Sequence, residues 1–399
     1  MPLYWLWYYL LPGLSVGQKL KLLESFRDVE ELYLTQDYNG IGNLNREEIK
    51  ALGEKDLKTA QQVLRTCTRQ HIGILTFSDA GYPRRLRNID DPPFVLFYKG
   101  ILPDFESYPM IGVVGTRKAS AYGLTQARRL SQQITACGGV VVSGGAAGVD
   151  TMALQGALEA DGCPVAVLGC GVDVVYPKSN KKLFAQIEAK GCILSEFLPG
   201  TEPRPWQFPQ RNRIISGISN GVLVAEAPER SGALITANDA MRQGRDVFAV
   251  PSNIDVSSGA GSNALLREGA CAVFSGWDII REYAAQYPDT VCQKEPVLHP
   301  MDAEPMADSK PAAGGLFQPH SDKKDIDNPV ANAYSVFVDA KDQLTSEENR
   351  VVAFLTQGPC PVDVLVDRLD MPAAQVQRIL TMLSLKGIVK NQPGGIVSL

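Results

Sequence analysis

The chain has 399 residues, 45% hydrophobic and 21% charged, with a formal net charge of −5. That length exceeds one ordinary core and predicts two or three domains. The acidic balance excludes a molecule drawn to nucleic acid by its overall field, so any nucleic-acid site has to be a local basic groove.

Residues 1–14 are apolar and aromatic (Tyr4, Trp5, Trp7, Tyr8, Tyr9). They lack the basic start and small-residue cleavage site of a signal peptide. Pro12-Gly13 ends the run short of the roughly 18 apolar residues a membrane span needs. A core helix of a small helical domain, residues 1–70, is expected, with no membrane contact. Apolar spacing predicts further helices over 14–26, 29–34, 45–51 and 56–65. The turn Leu11-Pro12-Gly13-Leu14-Ser15 is like the hairpin of helix-hairpin-helix or SAM-like modules. Such modules either pack or touch DNA, and both roles stay open.

From His71 the pattern changes. Strand-like runs at 72–77 and 92–98 lead into alternating strands and helices. Strands are predicted at 111–114, 139–142, 165–168, 192–195, 221–225 and 246–250. Helices are predicted at 122–137, 149–160, 180–190, 211–219 and 234–243. Strands this apolar are buried on both faces, which means a mostly parallel sheet covered by helices. Residues 71–283 are therefore expected to form an α/β, extended Rossmann-like, doubly wound domain, with its ligand site outside the C-terminal ends of the strands. Residues 284–344, rich in Pro, Ala, Asp, Ser and Lys, read as a flexible linker. In 345–399, three helices (347–357, 362–369, 372–386) and a hairpin (388–390 with 396–399) give a winged-helix pattern. Its third helix has few basic residues (Arg378, Lys386), so DNA and protein remain equal candidates for its partner.

The eight cysteines (Cys67, Cys137, Cys163, Cys170, Cys192, Cys271, Cys292, Cys360) form no CxxC pair. His71, His299 and His320 stand apart from one another. Reduced thiols, a cytoplasmic location and no metal centre are expected.

The central stretch is Val141 to Asp150, a buried strand that ends in Ser143-Gly144-Gly145-Ala146-Ala147-Gly148 and opens a helix. Its glycines let a ligand approach the backbone, and the unpaired amides of a helix N-terminus hold anions. Similar polar turns follow the other strands: Gly115 to Ser120, Gly169-Cys170-Gly171 with Tyr176 to Asn180, Phe208 to Ser216, and Arg230-Ser231-Gly232 to Thr236. With Arg117, Lys178, Arg211, Arg213 and Arg230 beside them, they predict a groove for more than one phosphate. A mononucleotide needs one cradle; a strand of nucleic acid needs several. There is no GxGxxG and no Walker A loop, so no dinucleotide or nucleotide cofactor is expected.

Candidate acids and bases are Asp150, Asp173, Glu196 and Glu226. Asp150 also suits the first turn of a helix, and Glu226 suits a partner for Arg211 or Arg213. No Ser-His or Cys-His arrangement is available, because no histidine lies between His71 and His299. These carboxylates are expected to be structural, and the protein not to be an enzyme. Phe208 and Trp206 either stack on bases or anchor their loop.

These motifs resemble the DNA-processing protein A (DprA/Smf) family. They stand here as Val114-Gly115-Thr116-Arg117, Ser143 to Asp150, Leu168 to Pro177, Phe208-Pro209-Gln210-Arg211-Asn212-Arg213-Ile214-Ile215-Ser216, Ser231-Gly232-Ala233-Leu234-Ile235-Thr236 and Gly261-Ser262-Asn263. The resemblance implies a SAM-like N-terminal domain, an extended Rossmann core and a C-terminal winged helix. It also implies a homodimer that binds single-stranded DNA and loads the RecA recombinase in natural transformation. By position, the DNA-contacting residues would be Arg117, Ser143, Gly144, Gly145, Lys178, Asn180, Arg211, Asn212 and Arg213. Ser231, Gly232 and Thr236 belong to the same rim, and dimerisation would fall near Leu265 and Leu266. One departure is Leu154, where the family usually carries a histidine. The rival reading is a Rossmann-type enzyme cleaving N-glycosidic bonds of nucleoside monophosphates, in which Glu226 and Arg211 or Arg213 would serve.

Overall fold

The computed structural model describes residues 2–38, 40–41 and 44–294, and scattered residues between 351 and 398. The chain divides into two units, Met1–Asp302 and Ala303–Leu399. The predicted linker falls mostly outside the described residues. Its first part does not: Tyr287 is buried, and its hydroxyl accepts from Arg85 and Asn220.

Five helices open the first unit: α1 (Pro2–Leu10), α2 (Val16–Glu24), α3 (Val29–Leu34), α4 (Arg46–Gly53) and α5 (Lys58–Arg69). Their starts are written locally. Ser15 with Gln18 and Asn45 with Glu48 form capping boxes, and Asp28 caps α3. Trp5, Leu6, Trp7 and Tyr8 of α1 are buried, as expected of a core helix. They share one apolar cluster with Phe94, Val95 and Phe97 of the following sheet. Residues 1–70 thus have no core separate from the sheet.

The rest of this unit is α/β. Its elements are β1 (Gly73–Thr76), α6 (Arg84–Arg87), β2 (Val95–Gly100), β3 (Met110–Val114), α7 (Ala121–Ala136), β4 (Val140–Ser143), α8 (Val149–Glu159) and β5 (Val165–Val167). Then come α9 (Lys181–Lys190), β6 (Cys192–Ser195), α10 (Gln207–Ile218), β7 (Gly221–Val224), α11 (Gly232–Arg242), β8 (Asp246–Ala249), α12 (Ala260–Arg267), β9 (Cys271–Ala272) and α13 (Gly276–Ile280). The nine strands lie in the order β1-β2-β6-β5-β4-β3-β7-β8-β9. From β6 to β9 every pairing is parallel; β1–β2 and β2–β6 are antiparallel. The chain leaves β3 toward β4 and later returns to its other side as β7. That reversal opens a crevice at the strand ends.

One predicted boundary shifts. Helix α10 begins at Gln207, not Arg211. Pro209 suggests a loop, yet proline is tolerated in a first turn, where its missing N–H has no partner to lose.

In the second unit, Val351, Leu355, Leu365, Val376, Leu380 and Leu383 are buried together. A small sheet joins β10 (Cys360–Pro361), β12 (Ile396–Ser398) and β11 (Lys390–Gln392). The β11–β12 pair is antiparallel, as a wing hairpin requires.

Candidate nucleic-acid interface

The reversal at β3 and β7 holds a cleft of about 690 Å³. Its walls are the turn after β3 (Gly115 to Lys118), the turn after β4 (Ala146, Asp150), the start of α10 (Phe208, Pro209, Arg211, Asn212) and the turn after β7 (Arg230 to Thr236). Turns from separate parts of the sequence therefore meet on one rim.

The Val141–Asp150 stretch is held by close packing. At Gly144, a Cβ would lie 2.4 Å from the Arg211 guanidinium and 2.6 Å from the Asp150 carboxylate. Gly148 precedes α8 at φ +83°, where L side chains are strained. The amide of Val149 donates to the Thr116 carbonyl (3.3 Å), and that of Thr116 to the Glu226 carbonyl (2.8 Å). This lashes the Arg117 turn to its neighbours. Arg117 itself is exposed, with its guanidinium 5.1 Å from the Phe208 ring, a cation–π contact that holds the charge at the cleft.

The other arginines are placed differently from the sequence expectation. Arg211 lines the cleft but is 3% exposed. It donates to the carbonyls of Gly144 (2.6 Å) and Val167 and lies beside Asp150. Its Nε is buried with no hydrogen-bond partner among the described residues. Burial pushes the Asp150 carboxyl up to about 6, against the pull of Arg211. Arg213, two residues on, faces away from the cleft. It pairs with Glu196 and with Asp91 (3.2 Å). Desolvation raises the Glu196 pKa, and Arg213 opposes the rise. So Arg211 braces the turns and Arg213 braces the end of β6; neither stands open on the rim.

The remaining predicted residues divide in the same way. Asn212, Ser231 and Gly232 line the cleft with accessible surface, whereas Thr236 lines it but is buried. Ser231 caps α11, accepting from the Ala233 amide at 3.3 Å. Ser143 is buried and donates to the Val113 carbonyl at 2.7 Å. Gly144 and Gly145 are buried in the turn behind. Asn180 is buried and donates to the Gly145 carbonyl (3.0 Å) and Thr151 Oγ1 (2.8 Å), so it supports the loop. Lys178 is exposed, on the turn after β5, and does not line the cleft.

Glu226 is not the partner of either arginine. It accepts from the Ser120 amide and hydroxyl (both 2.8 Å) and from Ser258 Oγ (2.6 Å). A carboxylate at the N-terminus of α7 complements the helix dipole. The motif showed a carboxylate at a strand end, but no local signal named Ser120 and Ser258 as its partners. Leu265, one of the two residues expected at a dimer interface, packs inward. It is 4% exposed within the core, because α12 lays that face on β8. Leu266 is half-buried, while β9 and Phe274 form an exposed edge. Leu154 is fully buried.

Cys67, Cys137, Cys163, Cys170, Cys192, Cys271 and Cys292 are free thiols. Among the described residues, no group of three or more His, Cys, Asp or Glu residues is placed to hold a metal ion. Among the described residues, no helix is long and apolar enough to cross a membrane.

Comparison with known proteins agrees with this architecture. Residues 73–284 match the DNA recombination-mediator protein A family, and residues 338–395 match the DprA winged helix domain. Protein Smf of Synechocystis sp. is 32% identical over 98% of this chain and 97% of its own. DNA processing protein DprA of Streptococcus pneumoniae is 39% identical over 68% of this chain and 94% of its own. The X-ray structure of DprA from Streptococcus pneumoniae superposes with a TM-score of 0.62 at 37% identity, covering 71% of this chain and 98% of that one. The chain belongs to the DNA recombination-mediator protein A family, the DprA/Smf proteins.

Proposed function

We propose that this protein binds single-stranded DNA along the strand-end rim and mediates recombination by delivering that strand to a RecA-type recombinase. The observation that carries the reading is the run of open cations and helix starts on one edge. Arg117, Lys178 and Arg230 are exposed there on the turns after β3, β5 and β7. Phosphates are held by charge and backbone amides, with little base preference. Delivery to a recombinase follows the family's role as a recombination mediator, and natural transformation is the process it would serve. Glu226 and Glu196 are committed to internal partners, which supports a non-enzymatic role. A cytoplasmic location fits the free thiols. A homodimer through Leu266 and the exposed β9 edge completes the reading, and sedimentation of Leu266→Arg as an unchanged dimer would remove that interface.

Binding of a labelled oligonucleotide at two salt concentrations tests the central claim. The wild type should bind at low salt and weaken as salt rises. Arg117→Ala should bind more weakly with a shallower salt slope; salt-independent binding refutes the reading. One observation favours the rival enzyme: Asp150 lines the cleft beside Arg211 with its carboxyl pushed up to about 6. Release of free base from a nucleoside monophosphate would support it.

A further inference from the structure

Trp206 has no role in the cleft just described. It is 57% exposed, whereas Trp5 and Trp7 are buried and Trp277 is half-buried. A large exposed apolar ring on a strand-end loop calls for a partner. We propose that Trp206 is a base-stacking platform that carries the single strand beyond the cleft, along the strand ends to β6. This rests on the single-stranded DNA reading above and extends it.

Three observations converge. First, the indole is seated. Its ring meets Phe197 edge-on, with centroids 6.1 Å apart and planes at 78°. Phe197 lies two residues past the end of β6 and is itself buried. An edge-on contact leaves an indole face to solvent, as a stacking platform needs. Second, its loop is fixed to the turn after β5. The Gly171 amide donates to the Thr201 carbonyl at 2.9 Å, and the Gly200 amide to Asp173 Oδ1 at 2.7 Å. The rim is therefore continuous from one turn to the next. Third, the space between is already furnished. Tyr176, 40% exposed, lies 5.5 Å from Phe208, and Lys178 follows two residues later.

Rings and cations thus share the edge: Arg117 lies over Phe208, Phe208 beside Tyr176, and Lys178 and Trp206 stand exposed on the adjoining turns. Stacking faces beside phosphate partners suit a single strand, because a duplex hides its base faces. Strand order sets the span. The turns after β7 and β6 are four strand spacings apart, about 19 Å at roughly 4.8 Å each.

The test measures binding of a labelled 20-mer of thymidylate, and of an abasic 20-mer, to the full chain at two salt concentrations. Trp206→Ala should bind the thymidylate strand about 5- to 100-fold more weakly, the range for loss of one base–aromatic stack. Its salt slope should match the wild type, since no phosphate contact is lost. The abasic strand should bind both proteins equally, and Trp206→Phe should restore most of the affinity. Thymidylate should also quench the solvent-facing tryptophan emission, a signal absent from Trp206→Phe. Unchanged thymidylate affinity in Trp206→Ala overturns the proposal, as does an equal loss on the abasic strand. If Trp206→Ala does not fold, absence of quenching in the wild type overturns it instead. A wild type that binds neither strand overturns the underlying single-strand reading as well.

Discussion

Lys19 places an ammonium inside the aromatic core of the N-terminal helices. It is 7% exposed and donates to the carbonyls of Tyr8 (2.9 Å) and Tyr9 (3.2 Å), with the Tyr8 ring centroid 5.5 Å away. Burial lowers its pKa to about 8 from 10.5. A depressed base binds fewer protons folded than unfolded between those values, so its contribution to stability rises with pH there. Moving from pH 7.5 to 9.5 should favour wild type over Lys19→Met by about 2 kcal/mol, at about 1.4 kcal/mol per pKa unit. Denaturant titration at both pH values measures it, and a difference that does not change with pH refutes it. The arginines of α10 show what was legible at this scale. Their charge and their place near a strand end are in the sequence. That Arg211 turns inward to Asp150 while Arg213 reaches Glu196 and Asp91 is not. Residues two apart on a helix face different sides, and only the packed sheet decides which side is the cleft.

At the scale of elements, the apolar strands and glycine turns were readable because burial on both faces leaves no alternation to misread. The helix start at Gln207 was not, since a proline in a first turn resembles one in a loop. The turn that opens α8 shows why its glycines are there. At Gly148, φ is +83° and a Cβ would lie 2.5 Å from the Thr116 carbonyl oxygen and 2.7 Å from that of Arg117. Gly200 has a similar φ of +79° with nothing within 4 Å of its Cβ position. Gly148→Ala should therefore cost about 2 kcal/mol more than Gly200→Ala, the difference being backbone collision beyond shared strain. It should also weaken oligonucleotide binding, because the displaced carbonyls belong to the Arg117 turn. Equal melting temperatures for the two variants would show that the turn relaxes freely.

For the whole molecule, a division at residue 70 was readable as a change of pattern, but the pattern does not reveal whether a boundary separates two cores. Here Trp5 stacks on Phe94 with centroids 6.5 Å apart, and Tyr8 meets the same ring edge-on at 5.6 Å. The Tyr9 hydroxyl donates to the Glu196 carbonyl at the end of β6 (2.9 Å), tying α1 to the rim that carries the proposed site. The helices and the sheet should then unfold together. A chain ending at residue 302 should give one calorimetric transition. Trp5→Ala should lower that transition as a whole, at a cost of about 3–5 kcal/mol for a buried large-to-small change. Removing residues 1–70 should expose Phe94, Val95 and Phe97 and leave a fragment that does not fold by near-ultraviolet dichroism. By contrast, Leu380→Ala in the full chain should destabilise the second unit and leave the first transition in place, because its buried neighbours all lie beyond residue 350. Two separate transitions in the 1–302 chain would mean that α1 covers the sheet without sharing its stability. The oligonucleotide site would then be independent of the helical segment.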